Sequence, residues 1–478
     1  MLPELLVLAL LSVSAGAAEE RRLGAYVFHR HGDRTSKAWK PVNLTALGAL
    51  QVHSSGAFYR DRYLTGPSPL GLSRDVAVPA QLAVSSPRDA VLHASALTFL
   101  QGLYPPQPAL GAETLANGSR VEAPLGGYQY VPVEPVAAAA AAAAERPEDN
   151  AWLQGGTGCV NAEVSSNSYF ASADYKRAYD GSLDFYQSLL PVVNGTYGPA
   201  AANFKNAYSI FDLVNVATIH NASIPSSSLL SGATRARLLE LASEHEWNLA
   251  YNASEPVRAI AGAVLAGQVL EALQAVVEGK PSVPRLHAQF GAYGTFMAFF
   301  GLAQLPAASA DFRGICDYAS SMAFELVTTA PAGARPAADD VSVRFLFANG
   351  SAADAGLRPF PLFGQGSSVL KWRDFAAGMS ALAVSDTPHW CALCGKTDGK
   401  CAAKGPDGDD TARAAAAGDG GGVSRPVAGV IGALVTLLVV LGIQAAAMLF
   451  GGLRLVSNSS LARARRADLA AEAGAAKS

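Results

Sequence analysis

The sequence predicts an α/β fold with flanking helices, an α-helical cap subdomain, and one C-terminal transmembrane helix. Three observations carry this expectation. Short β-rich apolar runs at 23–29, 285–290 and 341–347 alternate with longer helical stretches, the order that builds α/β cores. The middle of the chain is rich in helix and poor in strand, which suggests a cap. An uncharged stretch from Pro426 to Leu453 passes the length of roughly 20 residues needed to cross a hydrocarbon core. The 478 residues exceed one ordinary domain of roughly 100–200. Half of them are hydrophobic and 16% are charged, which excludes a disordered chain. A net charge of −3 and a pI near 6.3 argue against nucleic-acid binding, which needs a basic face.

Residues 1–17 read as a signal peptide, with an apolar run too short to span and an Ala15-x-Ala17 cleavage pattern. Residues 18–402 form the ectodomain. Its first strand, 23–29, runs into a polar turn, and helices follow at 44–64 and at 90–103, the second stopped by Pro105 and Pro106. The polyalanine run at 137–144 reads as a helical or disordered insertion. Further helices are expected at 199–217, 235–250 and 259–277. Residues 403–425, rich in Ala, Gly and Asp, form a flexible stalk before the span at 426–453. The tail, 454–478, carries five basic and two acidic residues, and basic residues just past a span mark the cytoplasmic side. The ectodomain is therefore expected to be lumenal or extracellular. Six glycosylation triplets precede the span, at Asn43, Asn117, Asn194, Asn221, Asn252 and Asn349. Five cysteines (Cys159, Cys316, Cys391, Cys394 and Cys401) favour disulfides over a zinc knuckle in that compartment, with one left over. The pairing is not legible.

The chemistry concentrates at Arg30-His31-Gly32-Asp33-Arg34-Thr35, a loop directly after a strand. Ligand sites in open α/β sheets lie at the carboxyl ends of strands. Two guanidinium forks can grip a phosphoryl group, and a histidine between them is placed to attack phosphorus. Among the other histidines, His245 reads as part of a solvated helix face, and His53 and His93 as packing residues; His389 lacks strand–loop context.

This hexapeptide resembles the R-H-G-x-R-x-P signature of the histidine acid phosphatase family. The likeness continues at Leu44-Thr45-x-Leu47-Gly48 and at Ser95-Ala96-x-x-Phe99-Leu100-x-Gly102-Leu103-Tyr104-Pro105-Pro106. It is firm over the first hundred residues and thin beyond. It implies a mostly parallel central sheet with a helical cap, and two-step phosphomonoester hydrolysis with no metal and no cofactor. By that resemblance His31 is the nucleophile, and Arg30 and Arg34 bind phosphate.

Three departures follow. Ser36 stands at the signature proline. Val91 stands where the family has a third phosphate-binding arginine, with Arg88 as a substitute one turn earlier. The family's acid, a His-Asp or His-Ala-Glu at a strand end, falls near Gln289–Gly291, with no carboxylate. His287 is then a second phosphate contact or a strand histidine, and Asp33 a replacement acid. The expected activity is weak or substrate-selective; the alternative is a non-catalytic surface glycoprotein that binds phosphate groups.

Overall fold

The computed structural model describes residues 20–136, 158–221, 228–333, 335–398 and 401–402. The expected signal, polyalanine run, stalk, span and tail lie outside these residues. Strand β1 (Arg21–Arg30) occupies the middle of an eight-stranded sheet. The other strands are β2 (Leu82–Pro87), β5 (Glu134–Val136), β6 (Leu286–Gly291), β7 (Ser321–Thr328), β8 (Val341–Ala348), β9 (Arg358–Pro359) and β10 (Val369–Lys371). Strands β3 (Ala112–Thr114) and β4 (Arg120–Glu122) make a separate hairpin. The sheet order is β10-β8-β7-β1-β6-β2-β5, with β9 on β8.

The sheet is mixed rather than mostly parallel, which corrects the expectation. Pairs β1–β6, β6–β2 and β2–β5 are parallel, whereas β1–β7, β7–β8, β8–β10 and β8–β9 are antiparallel. Among the described residues no α-helix lies between β7 and β8, and a parallel return needs a long crossover. Sequence patterning missed β7 altogether because Glu325 interrupts its apolar run. That carboxylate is buried and held by Arg62, with Nε at 2.5 Å and Nη2 at 2.9 Å.

Alternation along β1 sends Ala25 and Val27 to one face and Tyr26 and Phe28 to the other, and both faces are buried. The first face packs under α1 (Ala46–Arg60) and α2 (Leu92–Leu103). The second packs under α7 (Ile260–Val277), α8 (Tyr293–Leu302) and α9 (Trp372–Ser380). The stretch 256–277 is long and apolar enough to cross a membrane, but much of it is buried against this core. The cap has its own core, built from α4 (Ala173–Ser188), α5 (Ala207–His220) and α6 (Gly232–Ala250). Helix α5 begins eight residues later than expected, after a 3-10 turn capped by the Asn203 side chain. Helix α4, with Ser172 at its N-cap, was not anticipated.

Disulfides join Cys159 to Cys394 and Cys391 to Cys401, tying α3 (Val160–Ser168) to α10 (Thr387–Cys394). Cys316 is the free, buried thiol. Asn43, Asn117, Asn194, Asn221 and Asn349 are exposed, and Asn252 is half-buried.

Candidate active site

Arg30 pairs in register with Gly291, and Pro87 closes β2 on the same edge of the sheet. The antiparallel strands contribute from the other side, since Ser321 at the start of β7 faces His29 and Ala348 at the end of β8. The signature loop therefore leaves β1 at the edge where both halves of the sheet present their loops.

The loop is pressed onto the first turn of α1. A Cβ on Gly32 would stand 2.2 Å from the Gly48 carbonyl oxygen, and one on Gly48 would stand 2.0 Å from that of Asp33. Only glycine permits this approach of two backbones. Thr45 caps α1 by accepting from Gly48 N at 3.0 Å, and its hydroxyl also bonds the Asp33 carboxylate. The shared motif Leu44–Gly48 thus shapes the loop itself.

His31 is 4% exposed, and its Nδ1 lies 2.7 Å from the Gly32 carbonyl oxygen. A carbonyl only accepts, so Nδ1 carries the hydrogen and Nε2 keeps its lone pair. Burial, then the charges of Arg30 and Arg34, hold the imidazole well below its ordinary pKa, against the Gly32 hydrogen bond. The ring is therefore neutral in mild acid, with the Nε2 lone pair available.

Both arginines are buried. Arg30 donates from Nη1 to the Cys316 carbonyl and lies between Tyr318 (4.8 Å to the ring centroid) and Tyr293 (5.4 Å). Arg34 donates to Tyr208 Oη at 3.0 Å and to the Thr35 carbonyl at 3.0 Å, and pairs with Asp212 Oδ1 at 2.7 Å. Burial opposes its charge, but Tyr208 and Asp212 outweigh that and raise its pKa. Nε of each arginine is buried without a hydrogen-bond partner among the described residues. Two such donors beside a neutral histidine suit an anion with several acceptor oxygens. The described residues contain no cluster of His, Cys, Asp or Glu suited to a metal ion.

The other sequence candidates divide. Arg88 stands one residue past β2 on the same edge, exposed, with no hydrogen bond or ion pair to a described residue. His287 pairs with Tyr26 and so lies four strand positions short of Gly291; it stacks on Tyr26 with centroids 5.5 Å apart. The structure does not bring it to His31, and this favours the strand-histidine alternative. Burial lowers its pKa to about 4. The Asp33 Oδ2 is taken by Thr45 and by His220 Nε2 at 2.6 Å, so that carboxylate braces the loop against α1 and the end of α5. Gln289 is buried and donates to Gln268 Oε1 at 3.0 Å. His245 is buried, not solvated: Tyr169, Phe170 and Phe204 surround it, and Nδ1 meets Glu246 Oε1 at 2.8 Å. His53 and His389 are exposed rather than packed, and His93 meets the Ser86 hydroxyl at 2.9 Å.

Tyr208, Asp212, Tyr293 and Tyr318 were missed. They come from α5, α8 and the loop before β7, and no local motif marks them. A sequence signal existed only for Tyr293, which directly follows the strand end where an acid was sought.

No protein-family model matches the chain, and no curated protein matches it. Solved structures share the fold. The apo phytase of Hafnia alvei is 12% identical, with a TM-score of 0.53 over 79% of this chain and 99% of that one. The phytase of Citrobacter braakii is 13% identical, with a TM-score of 0.52 over 77% and 99%. The phytase of Klebsiella sp. ASR1 is 12% identical, with a TM-score of 0.50 over 77% and 96%.

Proposed function

We propose that this chain is a phosphoric monoester hydrolase that works through a phospho-histidine on His31. The observation that carries the reading is the buried, neutral His31 with its Nε2 lone pair, flanked by two arginines that each retain an unpartnered Nε. In the first step Nε2 attacks phosphorus and the bond to the leaving oxygen breaks. In the second, water attacks phosphorus, the N–P bond breaks, and phosphate leaves with His31 restored. Arg30 and Arg34 hold the equatorial oxygens, where charge accumulates, and Arg88 supplies a third cation from the rim. The fold shared with phytases makes inositol hexakisphosphate one ester to test beside simpler ones.

The chain is further read as a single-pass glycoprotein with its ectodomain outside the cytosol. Two disulfides and five exposed sequon asparagines support that placement. Weak or selective activity is expected, because Asp212 already neutralises Arg34. The lack of a carboxylate at the end of β6, where Gly291 and Ala292 stand, favours a second reading, a surface protein that binds phosphate groups without turning them over.

The deciding test is turnover of p-nitrophenyl phosphate by the purified protein between pH 4 and 7. The hydrolase reading expects His31→Ala to lose at least about 10³-fold. Equal rates for the two proteins would refute it, whereas phosphate binding without any turnover selects the second reading.

A further inference from the structure

The end of β6 offers no carboxylate, since Gly291, Ala292 and Tyr293 occupy it. A carboxylate arrives instead from the cap. The Tyr293 hydroxyl lies 2.7 Å from Glu246 Oε2 on α6, a side chain 18% exposed and so within reach of solvent protons. The Tyr293 ring stands 5.4 Å from the Arg30 guanidinium and 4.8 Å from the Tyr208 ring, whose hydroxyl holds Arg34. Tyr293 therefore touches the groups that fix both signature arginines. The other Glu246 oxygen meets His245 Nδ1 at 2.8 Å, while His245 Nε2 is buried without a hydrogen-bond partner among the described residues. With a proton on Nδ1 the histidine donates to the carboxylate; with a proton on Nε2 it accepts from the carboxylic acid. Asp212 binds Arg34, Ser36 Oγ and Lys37 N; Asp33 binds Thr45 and His220 through Oδ2, while its Oδ1 is buried without a hydrogen-bond partner among the described residues, which makes Asp33 the competing acid that the test includes.

We propose that Tyr293 donates the proton to the leaving group and that Glu246 is the positioning residue that reprotonates it. This rests on His31 as nucleophile. As the P–O bond breaks, the leaving oxygen takes the phenolic proton and the phenolate takes the Glu246 carboxyl proton. As water then attacks phosphorus and the N–P bond breaks, the proton lost by water returns through Tyr293 to Glu246. The net reaction is ester plus water to alcohol plus phosphate, with both residues restored. Several groups bear on the relay. His245 and Glu244 lie on its own helix. Arg30 lies against the Tyr293 ring, and Arg34 reaches it through Tyr208, with Asp212 paired to Arg34. Arg313 stacks 6.0 Å from Trp247, and Arg258 donates to the Asn248 carbonyl at 2.7 Å.

The test compares kcat/KM for p-nitrophenyl phosphate, whose leaving group needs no proton, with that for an alkyl ester, glycerol 2-phosphate. Tyr293→Phe is expected to lower the alkyl ester about 100-fold and the aryl ester less than about 3-fold. Glu246→Gln should lower the alkyl ester about 10-fold. It should leave the aryl ester within about 3-fold of wild type. Equal losses on both esters in both variants, or no loss, would overturn the assignment. So would an ester-selective loss in Asp33→Asn instead. If the wild-type protein hydrolyses neither ester, the hydrolase reading itself falls and takes the relay with it. If wild-type activity depends on His31 but neither variant discriminates between esters, only the relay falls.

Discussion

Replacing Asp212 by asparagine should weaken the fold and strengthen its hold on phosphate. The Arg34–Asp212 pair is 2.7 Å long, and its side chains are only 1% and 3% exposed. At an effective dielectric of about 20 the gross attraction at that distance is about 6 kcal/mol. Removing one partner of a buried pair commonly costs about 3–5 kcal/mol, because the other charge is left uncompensated. Asparagine keeps an oxygen that can accept from Ser36 Oγ and Lys37 N, so the low end, about 3 kcal/mol, applies here. With unfolding entropy near 2 cal/mol/K per residue over residues 18–402, that loss lowers the melting temperature by about 4 °C. Phosphate can then take the place of the missing carboxylate on Arg34. At a hundredfold excess over its dissociation constant, bound phosphate returns about 2.7 kcal/mol. The assay is thermal melting of wild type and Asp212→Asn across a phosphate titration. The variant should melt lower in phosphate-free buffer and gain more from phosphate. Equal melting temperatures and equal gains would show that Asp212 does not hold the charge of Arg34.

Two further outcomes are expected besides those for His31→Ala, Tyr293→Phe and Glu246→Gln. Gly48→Ala forces a methyl to within 2.0 Å of the Asp33 carbonyl oxygen, so the signature loop must shift; a loss of about 1–3 kcal/mol in urea melts and a fall in kcat are expected, and unchanged kcat would refute the loop argument. His29 and His287 are held neutral by burial, with pKa values of about 4 against an ordinary 6.5. Their contribution to stability is complete above pH 6.5 and is lost as pH falls from there towards 4, because the unfolded chain takes up protons that the folded one refuses. His287→Gln should remove about 2–3 kcal/mol of that loss, read as a flatter dependence of unfolding free energy on pH over this range; an unchanged slope would count against it.

Local features of the chain were legible where residue type alone decides geometry. Strand β1 is apolar from Leu23 to Phe28, the Gly32 turn follows it, α1 has its Thr45 cap, and α2 has its proline stop at Pro105 and Pro106. The strand–loop–helix order therefore placed His31 at a strand end without further information. Strand β7 was not legible because Glu325 looks out of place until Arg62, far away in the chain, is brought beside it. His245 misled for the opposite reason. Flanked by Glu244 and Glu246 it reads as solvated, yet the cap wraps it in aromatic rings.

What the sequence determined by itself is the signature loop: its histidine, its two arginines, its strand-end position, and the lack of an acid after β6. What only the tertiary structure decided is the electrical state of that loop. Asp212 and Tyr208 reach Arg34 from the cap, the Cys316 carbonyl and Tyr318 reach Arg30 from the loop before β7, and Glu246 reaches Tyr293 from another helix. These partners lie tens to hundreds of residues from the groups they govern. A hydrogen bond or ion pair acts over about 3 Å and requires desolvation to matter. Their pairing is therefore fixed by how sheet and cap pack, and local patterning carries no record of it.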